Sequence, residues 1–238
     1  MNPESLSDKL KEALEDRLES VVLYGSAASG DHSERYSDYN VLVVCSRLGH
    51  AELDAIEPLT RSWAKAGNPP PLMFTRERLM QSSDVFPIEL MDIKESHRIL
   101  FGEDLLKTLP INQTNLRFQL EHELKGKLIQ LRESYLLTGG KDKEILELMV
   151  RSLSTFQVLL RAMVRFFDVN VPTQKSKAID RLSKHVKFDL SVFETLQQLK
   201  NGALNSEDLD VRNLFGQYLS AVEDAADLVN ELERKGNR

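Results

Sequence analysis

Two short stretches hold residues of the right types and spacing to handle phosphate. Val21-Val22-Leu23-Tyr24 runs into Gly25-Ser26, and Ser37-Asp38-Tyr39-Asn40 leads into Val41-Leu42-Val43 a dozen residues later. A glycine lets the backbone approach a ligand closely. A serine hydroxyl and the amides that follow it can grip phosphate oxygens, above all where a helix begins. Side chains along a strand alternate in direction, so Asp38 and Asn40 share one side. A carboxylate and an amide oxygen can both meet a hard cation there, but only the carboxylate brings charge.

The order apolar strand, Gly-Ser, spacer, then an acid-bearing strand resembles the polymerase-β-type nucleotidyltransferases. Their pattern places Asp-x-Asp on the second strand. The resemblance implies attack of an acceptor hydroxyl on the α-phosphate of a nucleoside triphosphate, with pyrophosphate expelled and two Mg²⁺ (or Mn²⁺) ions nearby. It makes Gly25 and Ser26 the phosphate grip and Asp38 the first metal ligand. Asn40 stands where the family has its second aspartate, and one negative charge fewer leaves the metal weakly held. The family's third acid lies on a later strand. If Leu72-Met73-Phe74-Thr75 is that strand, it offers no carboxylate; if Ile88–Ile93 is, Glu89 serves, with Asp92 a weaker candidate. The plain alternative for Glu89 is a surface acid on a helix. The resemblance is local to residues 20–45, with looser support to 110.

An intact phosphate grip beside a depleted metal cluster implies a catalytically degenerate protein that binds nucleoside triphosphate and metal in a sensing or regulatory role. One alternative is an active transferase that uses Asp38, Asn40 and Glu89 on a small-molecule or protein hydroxyl. Another is a non-catalytic interaction module that works through its helical half.

The elements that must position these residues are legible from periodicity. Leu6, Leu10, Ala13, Leu14 and Leu18 recur at helical spacing after Ser5, which reads as an N-cap. Val21–Tyr24 and Tyr39–Cys45 are strands, the second apolar enough to be buried on both faces. Residues 51–66 read as a helix stopped by Gly67, and Asn68-Pro69-Pro70-Pro71 breaks the chain before the short strand 72–75. Ile88–Ile93 alternates acid with apolar residues and fits a strand or a helix; Arg98–Phe101 reads as a strand closed by Gly102. Beyond Pro110 the period is helical throughout. Leu116, Leu120, Leu124, Leu128, Leu131 and Tyr135 form one stripe, ended by Gly139-Gly140. Ile145, Leu148, Met149, Ser152, Phe156, Leu159, Leu160 and Met163 form another, and Leu214, Tyr218, Val222, Ala225, Val229 and Leu232 a third. The expected fold is α+β: a nucleotidyltransferase-like mixed sheet over residues 1–110, then an all-α helical bundle over 111–238.

Composition narrows the function classes. The chain has 238 residues, 41% hydrophobic and 29% charged, with a net charge of −6. These are values of a globular protein. Acidity argues against general nucleic-acid binding. The first 110 residues carry 12 Lys/Arg against 19 Asp/Glu, whereas residues 111–187 carry 14 against 8. Lys125, Lys127, Arg132 and Arg161 of that basic segment are candidates to face a triphosphate. Cys45 is the single cysteine and reads as a core residue. A polar start and the lack of a long apolar run predict no leader and no membrane span, hence a cytoplasmic protein. His32, His50, His97, His122 and His185 show no zinc spacing, and P-loop, dinucleotide and serine-hydrolase motifs are missing. Arg117 with His122, and Arg181 with His185, only loosely resemble the Arg–His pair of helical nuclease partners of such domains.

Overall fold

A computed structural model describes residues 1–29, 38–168 and 170–236. Ser37 of the motif, and His32, lie outside the described residues. The chain divides into two compact units, Met1–Leu116 and Arg117–Arg238.

In the first unit, α1 (Pro3–Leu14) leads into β1 (Leu18–Tyr24), the four-residue α2 (Ser26–Ser29) and β2 (Asn40–Cys45). Next come α3 (His50–Lys65), β3 (Leu72–Thr75), α4 (Arg76–Gln81), α5 (Pro87–Glu95) and β4 (His97–Gly102). The strands form one sheet in the order β3-β2-β1-β4. β1 is antiparallel to β2 and to β4, and β3 runs parallel to β2. Alternation sorts the two central strands onto two cores. Val21, Leu23, Val41, Val43 and Cys45 pack with Leu6, Leu10 and Leu14 of α1 and with Ile56 and Trp63 of α3. Val22, Leu42 and Val44 pack with Leu79, Leu90, Ile93, Leu105, Leu106 and Leu109 on the other face. Both faces are covered, which is why β2 reads as a continuous apolar run. Cys45 is fully buried among these residues, and burial, with Glu52 adding to it, pushes its thiol up to about 11.

Several readings of this unit need adjustment: Leu18 opens β1 rather than extending the stripe of α1, so that strand starts before Val21, and Tyr39 precedes β2. The N-cap of α1 is Asn2, whose Oδ1 accepts from the Ser5 N–H at 2.8 Å. Pro3 at the first helical position loses nothing by lacking an N–H there, so Ser5 falls inside the first turn. The ambiguous Ile88–Ile93 lies within α5, which Pro87 opens. β4 begins at His97, one residue before the expected strand.

Glu52 ties α1, β2 and α3 together. Its side chain is 1% exposed and accepts from Arg17 at 3.2 Å and Arg47 at 2.9 Å. Its second oxygen takes the Gly49 N–H at 2.8 Å, the returning half of a capping box at the start of α3. At the far end of the sheet, Gly102 has φ +76°, and a β-carbon there would meet the Glu19 carbonyl oxygen at 1.9 Å. Arg76 bridges Glu19 at 2.7 Å and Glu103 at 2.8 Å across the same corner.

The second unit continues α6 (Gln113–Leu137) and adds α7 (Asp142–Val164), α8 (Lys175–Leu182), α9 (Ser191–Lys200) and α10 (Val211–Gly236). α7 packs against α8, α9 and α10. Tyr218 of α10 fills the middle: Phe156 meets it edge-on at 5.6 Å, Phe193 at 5.3 Å, and its hydroxyl lies 3.0 Å from that of Ser152. Burial raises the phenol above its ordinary range. The apolar stripes are core faces, as their period implies. Among the described residues no helix is long and apolar enough to cross a membrane.

Two outcomes follow for this unit of sheet and helices. The Glu52 carboxyl is held at about 2, below its ordinary 4.5, by the Gly49 N–H, Arg47 and Arg17. A depressed folded-state value contributes stability above the unfolded-state value and loses it as the pH falls through the folded one. Urea midpoints of the wild type therefore drop between pH 4.5 and about 2, and Glu52→Gln shows a lower midpoint at pH 7 and a flatter profile through that window. Gly102→Ala combines a left-handed backbone with a backbone clash, and urea titration should show a loss of roughly 2–4 kcal/mol.

Candidate nucleotide site

β1 ends at Tyr24 and the chain turns at Gly25, whose φ of +78° lies in the region that favours glycine. The Gly25 carbonyl accepts the Ala28 N–H at 2.9 Å, which winds Ser26–Ser29 into the single turn α2. β2 starts at Asn40, directly opposite Tyr24 in the antiparallel register. That pairing brings the strand of the metal-ligand candidates to the Gly-Ser turn. The Asn40 side-chain amide lies 3.6 Å from where a Gly25 β-carbon would sit. Gly25, Ser26 and Asn40 are thus brought together, and Asp38, solvent-exposed, lies two residues before Asn40.

The direction of Asn40 follows from that of Tyr39 before it. Tyr39 packs on the α1/α3 side of the sheet, its ring 6.1 Å from that of Trp63. By alternation Asn40 turns to the opposite face, the side of Leu42 and Val44. The Tyr39 N–H is held by Asn68 Oδ1 at 3.0 Å, and Asn68 Nδ2 reaches the Trp63 carbonyl at 3.5 Å. The Trp63 indole N–H donates to the Pro69 carbonyl at 2.8 Å. Asn68, which reads in sequence only as the start of a proline break, is therefore the anchor of the ligand strand.

The same face carries Tyr24 beside Asn40 and His97 beside Tyr24. Burial raises the Tyr24 phenol, so it stays neutral. His97 is fixed at both ring nitrogens, Nδ1 to the Lys94 carbonyl at 3.0 Å and Nε2 to Asp104 at 3.3 Å. Burial works to raise the Asp104 carboxyl, but His97 and Lys107 outweigh it and hold Asp104 below the ordinary range. This acid is already engaged by His97 and Lys107.

Glu89 sits in the first turn of α5 and is exposed. The strand beside β2 is β3, where Leu72 stands opposite Leu42 on the Asn40 side and no residue is acidic. Among the described residues no three His, Cys, Asp or Glu side chains come together as a metal group. Among the described residues the donor candidates at the turn are one carboxylate and one amide, a set that suits a single hard cation sharing its ligands with phosphate oxygens better than a pair.

The basic candidates of the second unit are engaged within it. Lys125 pairs with Glu121, Lys127 donates to Gln130 at 3.2 Å, and Arg132 meets Glu223 at 2.6 Å. Arg161 is 5% exposed and donates to the Pro172 carbonyl at 2.9 Å, so it belongs to the bundle's interior. Arg117 pairs with Glu121 and Arg181 with Asp168, while the His185 ring stacks on Phe167.

One further residue, absent from any motif, touches the turn. Ser96, between α5 and β4, accepts the Gly25 N–H at its carbonyl at 3.0 Å and donates its hydroxyl to the Gly25 carbonyl at 3.2 Å.

No protein-family model matches the chain, and no curated protein matches it. Solved structures do. The chain is similar to spectinomycin adenyltransferase AAD(9) from Enterococcus faecialis, solved with ATP and spectinomycin, with a TM-score of 0.57 and 14% identity over 95% of this chain and 100% of that one. A toxin-antitoxin chain solved with AMP-PNP matches over 58% of this chain and 98% of its own, at 16% identity and a TM-score of 0.30. At that score the second likeness adds nothing to the first. Identity of 14% speaks to fold alone. The chain has a nucleotidyltransferase-like α+β fold, a small mixed sheet followed by a helical C-terminal region.

Proposed function

We propose that this protein binds a nucleoside triphosphate with one divalent cation, Mg²⁺ or Mn²⁺, at Gly25, Ser26, Asp38 and Asn40, and that its catalytic centre is degenerate. Its role on this reading is to sense or regulate. The observation that carries it is the Asn40 amide lying 3.6 Å from the Gly25 β-carbon position. Phosphate grip and ligand strand converge, yet the second ligand is uncharged and β3 supplies no acid. Gly25 and Ser26 hold the β- and γ-phosphates; Asp38 and the Asn40 oxygen hold the cation, which when bound offsets phosphate charge. With one carboxylate instead of two, a second cation for activating an acceptor hydroxyl is poorly supported.

A second reading is favoured by the length of the fold likeness. It covers 95% of this chain, helical region included, and that neighbour is an adenyltransferase solved with ATP and an acceptor. On this reading Asp38 and Asn40 serve active nucleotidyl transfer to a small-molecule hydroxyl. Glu89 stays a metal-ligand candidate only if it approaches the cation from α5.

Calorimetric titration of ATP, GTP, CTP and UTP, with and without Mg²⁺ or Mn²⁺, decides between binding and scaffold. The expected result is metal-dependent binding of at least one triphosphate. Asp38→Ala should weaken that binding by about tenfold or more, roughly 1.4 kcal/mol. Unchanged binding in this variant, or no binding by the wild type, sinks the proposal.

Pyrophosphate release separates the two readings. The degenerate reading expects background release from the wild type with ATP and a panel of hydroxyl acceptors, spectinomycin among them, and a rise in Asn40→Asp. Wild-type turnover with any acceptor establishes the second reading instead.

A further inference from the structure

We propose that Ser96 is a positioning residue for the triphosphate grip, acting through the two peptide groups that flank Gly25. The inference rests on the nucleotide-binding reading above and names a residue that reading does not contain.

β1 and β4 pair as far as Tyr24 opposite His97. One step beyond, where both strands have ended, the ladder gains a further bond: the Gly25 N–H donates to the Ser96 carbonyl at 3.0 Å. The Ser96 hydroxyl then donates back to the Gly25 carbonyl at 3.2 Å. A backbone acceptor and a side-chain donor of one residue thereby fix both sides of a glycine, the residue type with the loosest torsions. The first bond orients the peptide between Tyr24 and Gly25. The second orients the peptide between Gly25 and Ser26.

That second peptide matters for phosphate. A trans peptide is planar, and its N–H points opposite to its C=O. With the Gly25 carbonyl drawn toward Ser96 and the Ala28 N–H, the Ser26 N–H is directed the other way. The Ser26 amide is the first donor of the proposed grip, so its aim depends on a hydroxyl 71 residues further along the chain. Ser96 is only 8% exposed, so water substitutes poorly for a lost hydroxyl. Ser96 is itself seated: its N–H donates to the Ile93 carbonyl at the end of α5, and His97 after it is fixed by Lys94 and Asp104. A serine held this firmly on its own side transmits that rigidity to Gly25.

Ser96→Thr and Ser96→Val have the same shape and differ in the hydroxyl alone, so a packing defect affects both. The test compares their melting temperatures, their ATP titrations with Mg²⁺, and the ¹H–¹⁵N resonance of the Ser26 amide as ATP is added. The expected result is a wild-type-like affinity and a Ser26 shift in the threonine variant. The valine variant should bind ATP about tenfold more weakly, the effect of about one lost hydrogen bond, with the Ser26 shift diminished at matched melting temperature. Equal affinity in the two variants, with the wild type binding ATP, overturns the Ser96 assignment and leaves the nucleotide site standing. A wild type that binds no triphosphate removes the nucleotide reading and this inference with it. Should the branched variants fail to fold, Ser96→Ala replaces them. A Ser26 amide in the wild type that does not move with bound ATP overturns the inference without any variant.

Discussion

The row Asn40–Tyr24–His97, three residues side by side across β2, β1 and β4, is the constraint on which the candidate site depends. Backbone hydrogen bonds fix the lateral order of these residues. On one side the row delivers Asn40 to the Gly25 turn; on the other it delivers Ser96 to the same turn. Gly25 therefore sits where two strand pairings end together. A glycine at φ +78° contributes no packing of its own, so its conformation is imposed by these neighbours.

The row is rigid because the strands behind it are buried on both faces. α1 and α3 cover one side, and α4, α5 and the segment 105–109 the other. Apolar burial of this kind is the dominant stabilising term in a small domain, at about 25 cal/mol per Å². The polar tethers add direction. Asn68 takes the Tyr39 N–H, Glu52 gathers Arg17, Arg47 and the Gly49 N–H, and each joins segments that apolar contact alone would leave free to slide. The candidate site lies at the open end of this framework, where Asp38 meets water.

Among the described residues, charge at that end is sparse. Asp38 contributes one carboxylate, Asn40 contributes none, and Asp104 on the same face is already engaged with His97 and Lys107. A pair of divalent cations a few ångströms apart repel one another, and carboxylates between them normally offset that repulsion. A single cation partly ligated by the triphosphate asks for less. On the proposed reading, this charge suits holding a nucleotide rather than activating an acceptor.

The sequence by itself determined the elements whose signal is local. The β-branched runs ending at Tyr24 and Cys45, the glycine stops and the heptad-like stripes of the helical half each rest on neighbours within one or two turns. The approach of Asn40 to Gly25 was legible for the same reason, since β1 and β2 are successive strands that pair antiparallel. Ile88–Ile93 was not, because alternation of acid and apolar residues satisfies either period. Only the assembled sheet, with β3 beside β2 and β4 beside β1, leaves that segment outside as α5. Asn68 and Ser96 were invisible for a deeper reason. Their partners lie 29 and 71 residues away, and a side chain's hydrogen-bond partner at such a distance is chosen by packing that no local pattern encodes. Residue types limit the chemistry open to the turn, and the tertiary structure decides what holds it in place.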